Sequence, residues 1–161
     1  MSRSLHSWYG PSDLDRFAER GVELEGRLEI KQLSRLRDML HTDAGQVQVK
    51  LSFGRGGAGW LHMSLEYRTT FWLVCQRCLE PLEFEADAKV ELGLIESAGV
   101  AIPENFEPVV LENDRLRPAQ LLEDELIVAL PLVPKHRTVE ECGQLARQLV
   151  DNGARATRDS H

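Results

Sequence analysis

Cysteine is scarce in this chain, with three among 161 residues. So small and odd a number is poorly suited to a secreted disulfide framework and is compatible with a reducing compartment. Long apolar runs are missing as well. No stretch approaches the ~18 or more residues of a membrane span, and Met1 to Gly10 lacks the apolar centre of a secretory leader. The expected setting is therefore the cytoplasm, with no membrane. A Walker loop, an HExxH pair and a Ser/His/Asp set are all absent, and the five histidines are scattered, so no catalytic pairing suggests itself and the chain reads as a non-enzyme. Basic excess is absent too. The net charge is −7, which makes the whole surface a poor candidate for tight nucleic-acid binding, since phosphate binding rests on Lys and Arg releasing counterions.

What is present is a steady alternation of apolar and polar residues. The chain is 42% hydrophobic, and a chain of this length buries roughly 70% of its unfolded surface in one core. Residues 61, 63, 65, 67, 69, 71 and 73 are Leu, Met, Leu, Tyr, Thr, Phe and Leu, with mostly polar residues between them. That period of two marks a half-buried strand, and Cys75 continues the buried phase. Beyond a turn the apolar set moves to Leu82, Phe84, Ala86, Ala88, Val90, Leu92 and Leu94, while Glu83, Glu85, Asp87, Lys89 and Glu91 point the other way. Val47, Val49, Leu51 and Phe53 alternate likewise. Three consecutive strands over 46–53, 60–74 and 82–95 make an antiparallel meander. Ahead of them, Val22, Leu24, Leu28 and Ile30 alternate in a further strand, in which Gly26 falls in the buried phase and suggests a bulge or a close backbone approach. Gly54-Arg55-Gly56-Gly57-Ala58-Gly59 resembles a phosphate loop only in composition, because an alternating strand and not a helix N-terminus follows it.

Helices complete the reading. Pro11-Ser12 opens a short one, with Ser12 as candidate N-cap and Gly21 as its stop. Ile30, Leu33, Leu36 and Leu40 have the spacing of a second amphipathic helix. Pro118, near the first turn, starts the clearest helix, over 118–130, with Leu121, Leu122, Leu126, Ala129 and Leu130 on one face. Pro131 ends it, and Pro108–Leu111 reads as a short strand. The expected architecture is α+β: an antiparallel meander sheet packed by two or three short helices, with residues 1–142 as a single domain and 143–161 as a polar tail.

Chemistry concentrates at Cys75-Gln76-Arg77-Cys78, where one strand reverses into the next. Two thiolates at this spacing on a tight turn can face one tetrahedral cation, and His136 and Cys142 stand downstream to complete a zinc site as Cys-x2-Cys … His-x5-Cys. Packing alone is the competing reading, with Cys75 a small buried hydrophobe and Cys78 a turn residue. A redox or metal-dependent enzyme centred on Cys75, Cys78, His136 and Cys142 is a third, but no helix follows the motif to activate its first thiol, and metal catalysis needs an open coordination position. Charge is uneven: residues 80–125 hold 13 acids and 3 bases, and this acidic region, including Glu123, Asp124 and Glu125 on the last helix, would attract a basic partner or simply keep the domain solvated. Trp60, His62, Arg68 and Trp72 on the polar face of the central strand form a candidate stacking platform for single-stranded RNA. The cross-strand neighbours Glu83, Glu85 and Asp87 oppose that, since they would pair with Arg68 and repel phosphate.

Val74-Cys-Gln-Arg-Cys-Leu-Glu-Pro81 and Glu123-Asp-Glu-Leu-Ile-Val-Ala-Leu-Pro-Leu-Val-Pro-Lys-His136, with Glu141-Cys142 after them, strongly resemble the YceD family of bacteria and plastids. Glu19-Arg20-Gly21 and Phe106-Glu107-Pro108 extend the likeness to about residues 12–142. The resemblance implies a ribosome biogenesis factor needed for accumulation or processing of large-subunit ribosomal RNA, with a ribosomal protein or the pre-ribosomal large subunit as partner and no catalytic residues to carry over. It also implies a tail with an Asn-Pro-Phe-like motif, where this chain has the polar stretch Gly143–His161.

Overall fold

A computed structural model describes residues 4–56, 60–96, 99 and 101–142. The elements run α1 (Pro11–Arg20), β1 (Glu23–Glu29), a 3-10 turn (Ile30–Gln32), α2 (Ser34–Arg37), β2 (Gln46–Arg55), β3 (Leu61–Val74), β4 (Pro81–Ile95), β5 (Glu107–Val110) and α3 (Pro118–Ala129), with a last 3-10 turn at Val139–Glu141. The five strands form one sheet in the order β1-β2-β3-β4-β5, an α+β arrangement. β1 to β4 are the expected antiparallel meander. The short strand near Pro108 forms too, but it lies parallel to β4, pairing Leu92 with Glu107 and Ile95 with Val110.

Register follows the alternation. In β3, Met63, Leu65 and Phe71 are fully buried, as are Val47 and Leu51 of β2 and Leu92 of β4. Leu14 and Phe17 of α1, Leu36 of α2, and Leu122 and Leu126 of α3 join the same core. A one-residue slip would expose every one of the strand side chains at once. Gly26 is a close approach as expected, since a Cβ there would stand 3.1 Å from Leu5 Cδ1.

The helix starts differ from the sequence reading in two places. The N-cap of α1 is Gly10 and not Ser12, because Pro11 takes the first helical position that its fixed φ suits, and the Asp13 carboxylate accepts from the Gly10 N–H at 3.2 Å. Gly21 closes α1 in the left-handed conformation at φ 59°. The helix expected from Ile30 to Leu40 breaks at Leu33, which has φ −98° and ψ 83°. Ile30 and Leu33 are three residues apart, a spacing that a 3-10 turn puts on one face as well as an α-helix does; both are buried, with Leu36 beyond them.

Glu123 of α3 takes over the capping of that break. Its carboxylate accepts from the Arg35 N–H at 3.1 Å, the Leu36 N–H at 3.4 Å and the Arg35 Nε at 3.0 Å, with only 7% of the residue exposed. Asp124 holds the same guanidinium at 2.7 Å.

The sheet's other face divides in two. At one end Ile102 lies over Gly93, where a Cβ would meet its Cδ1 at 2.7 Å, and Phe106 packs edge-on to Trp60 and His62. Toward the β3–β4 turn the face is open: Trp72 pairs across from Glu83, Thr70 from Glu85 and Arg68 from Asp87, all of them exposed. Between these regions Glu91 accepts hydrogen bonds from Ser64 Oγ at 2.5 Å and from the His62 ring at 2.7 Å. The Ser64 and His62 bonds hold the Glu91 carboxyl below the usual carboxylate range.

Two outcomes follow. Glu123→Ala leaves two backbone N–H groups without their acceptor and should cost about 1–3 kcal/mol, read as a lower midpoint in denaturant unfolding; Asp124→Ala, which removes one exposed ion pair, should cost less than about 1 kcal/mol. Glu91 has a depressed folded pKa, so its contribution is complete above the ordinary carboxylate value of about 4.3 and is lost as pH falls through the folded value. Melting curves of the wild type and Ser64→Ala should thus differ at neutral pH and converge in acid, and an equal gap at both would contradict the linkage.

Candidate metal centre

The buried phase of β3 delivers Cys75 to the end of the core, where it is completely buried. A tight turn then reverses the chain: the Cys75 N–H donates to the Glu80 carbonyl at 3.0 Å, and the Leu79 N–H to the Cys75 carbonyl at 2.8 Å. Leu79 adopts the left-handed φ of 62° that this reversal demands, a conformation that costs a non-glycine residue about 1–2 kcal/mol. Cys78 lies inside the turn, 4% exposed.

The second half of the site comes from the segment after α3. Pro131 and Pro134 keep it from continuing the helix, and the Gln76 N–H fixes it to the turn by donating to the Pro134 carbonyl at 2.8 Å. The Arg77 guanidinium donates to the His136 carbonyl. The 3-10 turn at Val139–Glu141 closes with the Cys142 N–H on the Val139 carbonyl at 3.0 Å, which swings Cys142 back to a position 2% exposed.

Sequence reading proposed Cys75, Cys78, His136 and Cys142 as one ligand set, and the structure brings all four together with their donor atoms within 4.8 Å of one another. Cys75 Sγ and Cys142 Sγ are 3.9 Å apart, and His136 Nδ1 lies 3.5 Å from Cys78 Sγ and 3.6 Å from Cys142 Sγ. A tetrahedral zinc with bonds of ~2.3 Å to sulfur and ~2.05 Å to nitrogen puts its sulfurs about 3.8 Å apart and sulfur to nitrogen about 3.6 Å apart. Three of the six donor separations thus match the edges of a zinc tetrahedron, and the donor set fits that ion.

The electrostatics favour the thiolate at Cys75 and oppose it at Cys142. Burial pushes the Cys75 thiol up, but backbone N–H groups of His136, Cys78 and Arg77, together with the Cys78 side chain, outweigh it and bring Cys75 down to about 5. The His136 N–H is 3.4 Å from its sulfur. Burial, with Cys78 and Cys75 beside it, drives Cys142 up to about 11. Three thiolates crowded in a buried pocket repel one another, and a dication is the counter-charge that lets all of them ionise. No α-helix starts at the CxxC, since Pro81 opens β4 directly, so the activating dipole of a dithiol oxidoreductase is missing here.

The other sequence candidates lie apart from this centre. Glu123 is spent on capping Arg35 and Leu36, Asp124 is exposed and paired to Arg35, and Glu125 is half-buried, its carboxyl pushed up by burial and by Glu107 and Asp124. Trp60, His62, Arg68 and Trp72 do share a face but form no continuous stacking platform: Trp60 and His62 pack on Phe106, and Arg68 is tied to Asp87 at 3.1 Å. The residue that the sequence pattern leaves unassigned is Arg77. Its one legible signal is being a base enclosed by the two cysteines.

With this geometry in place, comparison with known proteins gives a consistent result. The family model described as "Large ribosomal RNA subunit accumulation protein YceD" matches residues 63–160, a span containing all but the first two residues of the β3–β4 hairpin and all four candidate ligands. A protein of that same description from Haemophilus influenzae is 31% identical over 136 residues, covering 83% of this chain and 78% of the relative. No solved structure matches the chain significantly. The family model matching more than half of the chain and the relative covering most of it make this protein a member of the YceD family.

Proposed function

We propose that this protein is a non-enzymatic ribosome biogenesis factor of the cytoplasm. On this reading it supports accumulation or processing of large-subunit ribosomal RNA by holding a basic ribosomal protein or a precursor of the large subunit. Family membership supplies the ribosomal context. The observation that carries the non-enzymatic reading is the closed ligand set: three sulfurs and one imidazole fill a tetrahedron and leave no position for water or substrate, as in structural zinc sites. Zinc bound there would tie the segment after α3 to the hairpin turn, with Cys75, Cys78, His136 and Cys142 as ligands. No helix among the described residues is long and apolar enough to cross a membrane.

The partner's chemistry is read from charge. Toward the turn, the open face of the β3–β4 hairpin presents Glu83 and Glu85 beside Trp72, which is 39% exposed, and the exposed Glu80 stands in the turn itself. Among the described residues no basic side chain pairs with these three acids, while Asp87 and Glu91 have partners. Uncompensated carboxylates beside an exposed indole suit Lys- and Arg-rich polypeptide and disfavour phosphate. Of the acidic triplet on α3, Asp124 is paired to Arg35, Glu125 is half-buried and Glu123 serves the fold, so the hairpin face carries this reading instead.

A metal assay on freshly purified, untagged protein should find about one zinc per chain, and chelation should lower the melting temperature. A stoichiometry near zero would leave the four side chains as packing only. Glu83→Lys with Glu85→Lys should weaken co-sedimentation with large-subunit precursors and leave the melting temperature unchanged, and wild-type binding should itself fall with added salt. Unchanged co-sedimentation of the folded double variant removes this face from the interface. Binding that vanishes on nuclease treatment would assign the contact to RNA instead of protein.

A further inference from the structure

We propose that Arg77 is the charge-balancing residue of the metal centre, setting its affinity by offsetting the negative charge that the ligands leave behind. This rests on the zinc reading above and concerns a residue outside the ligand set. Three thiolates against one dication leave a net negative charge, and it sits where the sulfurs are almost fully buried. An uncompensated charge in such a place is costly, so a cation is needed close by.

Three bases lie near the ligands in the chain: Arg77, Lys135 and Arg137. Lys135 and Arg137 are exposed. Arg77 alone turns inward. Its terminal nitrogen donates to the His136 carbonyl, and its Nε is buried with no hydrogen-bond acceptor among the described residues. A buried guanidinium N–H without an acceptor is unfavourable by itself. No sulfur accepts from it either, so the thiolate-rich centre acts on the guanidinium as a nearby charge, kept close by the His136 carbonyl that the guanidinium holds. An arginine suits the task because it keeps its charge at any working pH and its planar fork can hold a carbonyl with one arm while presenting another N–H elsewhere. The backbone N–H of Arg77 also supports the Cys75 sulfur, but any residue at this position supplies that, so side-chain variants isolate the guanidinium.

The test is zinc affinity by chelator competition on the full chain, for the wild type, Arg77→Gln and Arg77→Lys. Gln keeps an N–H for the His136 carbonyl without charge; Lys keeps the charge in a different shape. Arg77→Gln should bind zinc about 10–100-fold more weakly, the usual effect of losing a group that supports metal ligands, and Arg77→Lys should recover most of the loss. Cobalt-loaded forms should keep the visible bands of a tetrahedral three-sulfur, one-nitrogen site, and metal-free forms should melt together. Wild type that binds no zinc overturns the zinc reading and this proposal with it. Zinc bound equally well by Arg77→Gln overturns the proposal alone, as does full affinity in Gln with loss in Lys, which would make the carbonyl bond the whole role. If Arg77→Gln melts as far below wild type without metal as with it, Arg77 is a packing residue and charge balance is wrong.

Discussion

The structure hangs on β3. Its 14 residues pair with β2 along one side and with β4 along the whole of the other, and its odd-numbered side chains run through the middle of the core. Phe71, Leu65 and Met63 are fully buried, and truncating such a residue typically costs about 2–5 kcal/mol, so the phase of this strand is held by several large terms at once. Everything at the candidate metal centre inherits that phase. Cys75 is the next buried position after Leu73, and the turn, Cys78 and the anchoring of Pro134 are built outward from it.

The segment carrying the other two ligands has far less to hold it. Leu132 and Val133 are exposed, and its ties to the hairpin are the Gln76, Arg77 and Cys75 contacts with Pro134 and His136. Hydrogen bonds of this kind contribute about 0.5–1.5 kcal/mol each, whereas ordering each backbone residue costs roughly 1–2 kcal/mol. From Pro131 to Cys142 that cost is well beyond what three such bonds return. Structural zinc sites yield about 10–16 kcal/mol in small peptides, which is the right size to close the gap.

Much of this was legible in the sequence because a strand with one buried face writes its register as a period of two. The limits of β2, β3 and β4 fall within two residues of the alternation, and the cross-strand partners of Arg68, Thr70 and Trp72 follow from placing the turn at Cys75–Cys78. Three things were not legible. The spacing of Ile30, Leu33 and Leu36 serves a 3-10 turn as readily as an α-helix, so the break at Leu33 left no mark in the pattern. Glu123, Asp124 and Glu125 look like one patch in a linear reading, but successive residues of a helix point about 100° apart, which sends Glu123 into the core and leaves Asp124 outside. The pairing of His136 with Cys142, by contrast, was legible from residue type although five residues between them match no familiar ligand spacing, and the turn at Val139–Glu141 is what makes them neighbours. Arg77 was hidden for a different reason: its role depends on the charge of the assembled site and on no periodicity.

The unbroken pairing of β3 with β4 also restricts how the length of the chain can vary. One residue inserted between His62 and Trp72 would move every later side chain to the opposite face, carrying Cys75 out of the core and away from Cys142, unless a bulge absorbed it locally. Two inserted residues would keep the faces but shift the turn by about 7 Å along the strand, out of reach of the segment that brings His136. The connection from Arg55 to Leu61 is free of this restriction, because it lies at the opposite end of β3. Insertions and deletions in this fold are therefore admissible at one end of the hairpin and excluded at the other.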